Sequence, residues 1–110
     1  MNQSGALLDE LYAVIESRRN ADPEHSHTAK LFRRGVPKIA QKLGEEAVET
    51  LIEGVRGQRQ ELAEESADML YHLLVLWAAC GLRPEQVWQA LADRRGASDA
   101  VEEERQNNSE

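Results

Sequence analysis

Glu45, Glu46 and Glu49 form a Glu-Glu-x-x-Glu run, and sixteen residues after Glu49 a second acidic run, Glu65-x-x-Asp68, leads to His72. Carboxylates offer hard oxygen donors only. Where two such runs meet, they form an all-oxygen cage suited to Mg²⁺, with Mn²⁺ as a substitute, rather than to Zn²⁺. At about 100° per residue on a helix, Glu65, Asp68 and His72 fall on one stripe, with Glu61 a turn earlier. The stretch Met69 to Cys80 is apolar nearly all round, so this stripe enters a buried environment. Stacked carboxylates there are costly unless cations from a neighbour or a metal neutralise them.

The first run reads less sharply. Lys38, Lys42, Glu45, Glu46, Glu49 and Glu53 crowd one arc, opposite Ile39, Leu43, Ala47, Val48, Leu51, Ile52 and Val55. Alone, that arc is a solvated face with Lys–Glu pairs. Yet Glu45 and Glu49 are like charges four apart, and Lys42–Glu46 runs in the less favourable order for helix stability. A ferritin-like di-iron centre would want Glu-x-x-His on its helices, whereas His72 follows Asp68 by four and Glu65 by seven. His72 therefore reads as a satisfied interior histidine rather than a metal ligand. His25 and His27 lack a third ligand, so they read as surface or substrate-contact side chains.

The elements that must position these residues are helices. Leu7, Leu8, Leu11, Val14 and Ile15 mark an amphipathic helix over about Ala6 to Arg18, stopped before Pro23. Residues 22–37 are polar and basic and read as a loop with a helical turn over 28–33, a length that points to function. Pro37 opens a second helix to about Val55; Gly54 and Gly57 mark its end. A third runs from about Gln60 to Cys80 and is closed by Gly81, with Cys80 read as core. Pro84 opens a fourth, with Val87, Trp88 and Leu91 on one face and Arg94 and Arg95 in the last turn. The expected fold is all-α, a four- to five-helix bundle in a single domain over residues 1–96, with residues 97–110 an acidic, disordered tail.

Composition supports that fold and narrows the partners. Among 110 residues, 41% are apolar, 30% charged and only five are Phe, Trp or Tyr, which suits amphipathic helices better than a β-sandwich. So short a helical chain has a modest core, and a homodimer would bury the surplus apolar surface. One cysteine excludes an internal disulfide and fits the cytoplasm, and no apolar run reaches membrane-spanning length. The net charge of −7 hides a basic segment, Arg18 to Lys42, with seven bases against two acids. Bulk acidity argues against a nucleic-acid partner. A local basic segment beside an acidic one suits a small anionic ligand held through cations and metal.

The strings Lys42-Leu43-Gly44-Glu45-Glu46-Ala47-Val48-Glu49 and Glu65-Ser66-Ala67-Asp68-Met69-Leu70-Tyr71-His72-Leu73-Leu74-Val75-Leu76 closely resemble the phosphoribosyl-ATP pyrophosphatase family of histidine biosynthesis. That family belongs to the all-α, MazG-like nucleotide pyrophosphohydrolases. Ser26 to Phe32, Gly35, Lys38, Gly81 and Leu82 also match, and the resemblance spans about Leu7 to Arg95. His27 departs from it, standing where a tyrosine is expected. No cyclohydrolase-like segment precedes the domain, as in the stand-alone form. The resemblance implies hydrolysis of phosphoribosyl-ATP to phosphoribosyl-AMP and pyrophosphate at the α-phosphorus. It implies Mg²⁺ on Glu46, Glu49, Glu65 and Asp68, with Glu45 and Glu46 as the catalytic pair, Glu45 orienting the water or adding a ligand. Substrate would be met by Ser26, Thr28, Lys30, Lys38, Lys42 and His72.

Two other readings share parts of this pattern. A housekeeping pyrophosphohydrolase of dUTP or non-standard nucleoside triphosphates would share the acidic runs and differ in the basic loop and the Leu-Tyr-His string. A non-catalytic helical module would pair its acidic stripe with a partner's arginines and bind without turnover.

Overall fold

The computed structural model describes residues 4–95, and every regular element in that span is a helix: α1 (Ala6–Ser17), α2 (His27–Arg34), α3 (Val36–Arg56), α4 (Arg59–Ala79) and α5 (Pro84–Arg94). The all-α expectation holds. The tail expected over 97–110 lies outside the described residues.

The helix ends follow from local chemistry. Gly57 sits at φ +72°, where a side chain would be strained, and lets the Gln58 N–H reach the Glu53 carbonyl at 3.1 Å. That turn folds α3 and α4 into an antiparallel hairpin. Gly81 does the same at the end of α4, with φ +73° and the Leu82 N–H donating to the Trp77 carbonyl at 2.9 Å. Pro84 opens α5, as its fixed φ and missing donor allow.

Residues 27–34, expected as a loop with one helical turn, form a complete two-turn helix. The Ser26 side chain caps it by accepting from the Ala29 N–H at 3.1 Å. Ala29 and Leu31 on its inner side are buried.

α4 is the centre of the bundle, touching α1, α2 and α3. Leu74, Val75 and Ala78 form the core with Ile15, Leu31 and Ile39. α5 is pinned at one end, where Trp88 meets Trp77 edge-on at 5.9 Å and donates through Nε1 to Asp9 of α1 at 2.9 Å. The Tyr12 hydroxyl adds a bond to the Leu82 carbonyl at 3.0 Å.

One expectation fails. Cys80 is exposed rather than core, because it caps α4 where no neighbouring helix covers it. The apolar arc of α3 is also mostly uncovered: Ile39 is buried, but Val48, Leu51, Ile52 and Val55 are exposed.

Candidate active site

The α3–α4 hairpin brings the two acidic runs face to face. One carboxylate oxygen each from Glu46, Glu49 and Glu65 lies within 4.8 Å of the others. Glu46 Oε2 and Glu65 Oε2 are cut off from solvent and have no hydrogen-bond donor. Ionised carboxylates only accept, so two such oxygens can share a contact only through a proton or a cation between them.

Their titration records that conflict. Glu65 is pushed up to about 7, first by its close oxygen contact with Glu49, then by burial and by Glu46. Glu46 is also raised, chiefly by desolvation, with the charges of Glu49 and Asp68 adding. An all-oxygen set of three acids, two of them half-buried with one donor-free oxygen each and Glu49 at the exposed side, is what a hard divalent cation neutralises, so the residues fit a metal ion.

The other expected residues lie around this cluster in different settings. Asp68 acts on Glu46 through its charge, but its carboxylate is not among the three that converge. Glu45 points to the rim, where it accepts from Gln41 at 2.9 Å and faces Lys42 at 3.9 Å. The Gln41 bond, with Lys42, Lys38 and His72 nearby, holds its carboxyl below the usual range. His72 is 8% exposed, and its Nδ1 lies 2.9 Å from the Asp68 carbonyl, which makes Nδ1–H the donor and leaves Nε2 free.

The two hydroxyls expected at the substrate have structural partners. Ser26 caps α2, and Thr28 Oγ1 bonds to the Tyr71 hydroxyl, tying α2 to α4. Lys30 and Lys42, from different helices, both act on His27, whose imidazole is held below its ordinary value by partial desolvation, His72 and these two lysines. Three rings meet here: His27 lies 6.2 Å from Tyr71 and 6.4 Å from His72, and Tyr71 meets His72 edge-on at 5.0 Å.

A family profile described as phosphoribosyl-ATP pyrophosphohydrolase matches residues 8–95, nearly all of the described span. A phosphoribosyl-ATP pyrophosphatase of Azospirillum brasilense is 62% identical over 99 residues, covering 90% of this chain and 89% of that one. One of Paramagnetospirillum magneticum is 58% identical over 98 residues, covering 89% and 90%. One of Gluconobacter oxydans is 54% identical over 100 residues, covering 91% and 75%.

The chain belongs to the phosphoribosyl-ATP pyrophosphohydrolase family.

Membership agrees with an acidic cluster able to hold a metal ion and with a nucleotide as the class of substrate. Every residue of the acidic cluster and the basic rim falls inside the matched span. No helix among the described residues is long and apolar enough to cross a membrane. In this pyrophosphohydrolase-family chain, Tyr71, not among the residues expected from sequence, joins α2 to the site through its ring and hydroxyl. The available signal was a phenol in an apolar helix, since a half-buried Tyr hydroxyl needs a partner.

Proposed function

We propose that the chain hydrolyses phosphoribosyl-ATP to phosphoribosyl-AMP and pyrophosphate, the second step of histidine biosynthesis. The convergence of Glu46, Glu49 and Glu65, with two orphaned oxygens, carries this reading in a chain of this family. Mg²⁺ is the ion proposed, held by these three carboxylates with Asp68 as the fourth ligand. When bound, it would polarise the phosphate oxygens and acidify a water.

The chain's own groups account for the rest. Glu45, kept ionised by Gln41 and Lys42, orients the attacking water from the rim. The water oxygen bonds to the α-phosphorus as the α–β anhydride bond breaks, the pyrophosphate leaves with the bond's electron pair, and the proton that the water sheds passes to solvent. Lys42 and Lys38, on the polar arc of α3, offset leaving-group charge, and Lys30 adds to them from α2. Ser26 and Thr28 fix the start of α2 and reach the phosphates from there, and the free Nε2 of His72 faces the same ligand. The exposed arc of α3 is proposed to pair with a second copy, giving a homodimer that works in the reducing cytoplasm.

Pyrophosphate release from phosphoribosyl-ATP, dUTP and ATP, each with Mg²⁺ or EDTA, tests the assignment. The expected result is release from phosphoribosyl-ATP with Mg²⁺ and none with EDTA. Hydrolysis of dUTP but not phosphoribosyl-ATP would overturn it in favour of a housekeeping enzyme. Binding without turnover of any substrate would favour the non-catalytic module.

A further inference from the structure

His27 stands among groups that already have partners, and it has none. The Tyr71 hydroxyl is held by Thr28 and the His72 Nδ1 by the Asp68 carbonyl, whereas neither nitrogen of His27 meets a protein acceptor or donor among the described residues. Its ring is fixed all the same, near-parallel to Tyr71 at 24° and edge-on to His72 at 81°. A positioned, exposed imidazole with no partner is arranged to meet something that is not protein.

Its surroundings say what. The cationic side chains that act on it are Lys30 from its own helix and Lys42 from α3; Tyr71 and His72 face it from α4. Lys42 lies four residues before Glu46 on α3, and His72 four residues after Asp68 on the antiparallel α4. Both steps are about 6 Å in the same direction along the hairpin. His27 therefore sits one helical turn beyond the carboxylate cage, on the side where cations from two helices gather.

We propose that His27 is a substrate-binding residue for the pyrophosphate half of the nucleotide, its imidazole N–H donating to the phosphates beyond the scissile bond alongside Lys42 and Lys30. This rests on the phosphoribosyl-ATP reading for the identity of the whole substrate, but not for the anion bound at His27. The contact is specific to the leaving group, so the ring does not serve as a stacking platform for the purine.

Binding of pyrophosphate and of AMP, each with Mg²⁺, to the full chain by titration calorimetry separates these roles. His27→Phe keeps the ring against Tyr71 but removes the donor, and His27→Gln restores a donor. The expected outcome is pyrophosphate binding about tenfold weaker in His27→Phe, recovery in His27→Gln, and AMP affinity unchanged in both. KM for phosphoribosyl-ATP should rise by the same factor in His27→Phe with kcat little altered. Wild-type pyrophosphate affinity in His27→Phe would overturn the proposal, as would loss of AMP binding in its place, or a wild-type protein that binds no pyrophosphate. A wild-type protein that binds pyrophosphate but leaves phosphoribosyl-ATP intact would refute the assigned substrate, while the His27 comparison still stands.

Discussion

Glu46 and Glu65 each turn one oxygen into a place where neither water nor a donor meets it. The metal-free protein can relieve this only by holding protons, and Glu65, raised from 4.5 to about 7, is where it does so. A group whose folded pKa is raised stabilises the fold at low pH, and that contribution is lost as pH rises through the folded value. The melting temperature of the metal-free protein should therefore fall between about pH 5 and pH 8. If Mg²⁺ binds there as proposed it would take over the proton's role, and the rise in melting temperature on adding it should be larger near pH 8 than near pH 5.5. A Mg²⁺ effect independent of pH would count against these ligands. Glu65→Gln separates stability from activity at the same residue. It should raise the metal-free melting temperature near pH 8 and flatten its pH dependence. Turnover should fall below about a tenth of wild type, a loss of at least about 1.4 kcal/mol of transition-state stabilisation. Glu49→Gln and Asp68→Asn should lower turnover as much, without loss of helicity by circular dichroism.

At the scale of elements, α2 carries His27, Thr28 and Lys30, and besides Tyr71 a second side chain outside it, Arg19, helps to fix its position. Arg19 lies over the Phe32 ring at 4.6 Å, donates to the Ala78 carbonyl of α4 at 2.7 Å and pairs with Glu16 of α1 at 2.6 Å. Arg19→Ala should destabilise the protein by about 1–3 kcal/mol through the lost hydrogen bond and cation–π contact. A lower urea midpoint at unchanged m-value would show it, whereas an unmoved midpoint would mean α2 is held by its apolar side and the Thr28–Tyr71 bond without Arg19. Sequence made some of these elements plain and hid others for physical reasons. Gly57, Gly81 and Pro84 were legible because positive φ and a missing N–H are properties of the residue itself. The meeting of Glu46, Glu49 and Glu65 was legible because helical period and a tight turn suffice to place them. α2 was not, since eight residues with few apolar side chains carry little periodicity, and its Ser26 cap reads equally as a substrate hydroxyl. Asp68 shared the stripe of Glu65 but not its convergence, because side-chain direction within an arc depends on neighbours that a helical wheel omits. Cys80 was misread for the same reason: an apolar wheel does not say where the covering helices stop.

The whole molecule is under-filled for its length. Its Cα radius of gyration is 16.1 Å, against about 13 Å for a compact chain of this size. Among the described residues, six make up the buried core cluster. Meanwhile Val48, Leu51 and Ile52 stand exposed on α3, with Val55 at 87%. These lie on the same helix as Glu46 and Glu49 but around the other side of it, so the hairpin that builds the acidic cage also presents an uncovered apolar surface. At about 25 cal/mol per Å² of apolar area, burying that surface against a second copy would add several kcal/mol to a fold whose own core is small. In the proposed dimer, folding and association would be linked and stability would depend on protein concentration. The wild-type melting temperature should rise as concentration is increased, with a dimer in sedimentation velocity. Leu51→Glu places a charge in the middle of that surface, where it would be desolvated without a partner. It should yield a monomer with a lower melting temperature that no longer moves with concentration. If the wild type sediments as a monomer and melts at the same temperature across that range, the exposed arc of α3 is not where a second copy binds.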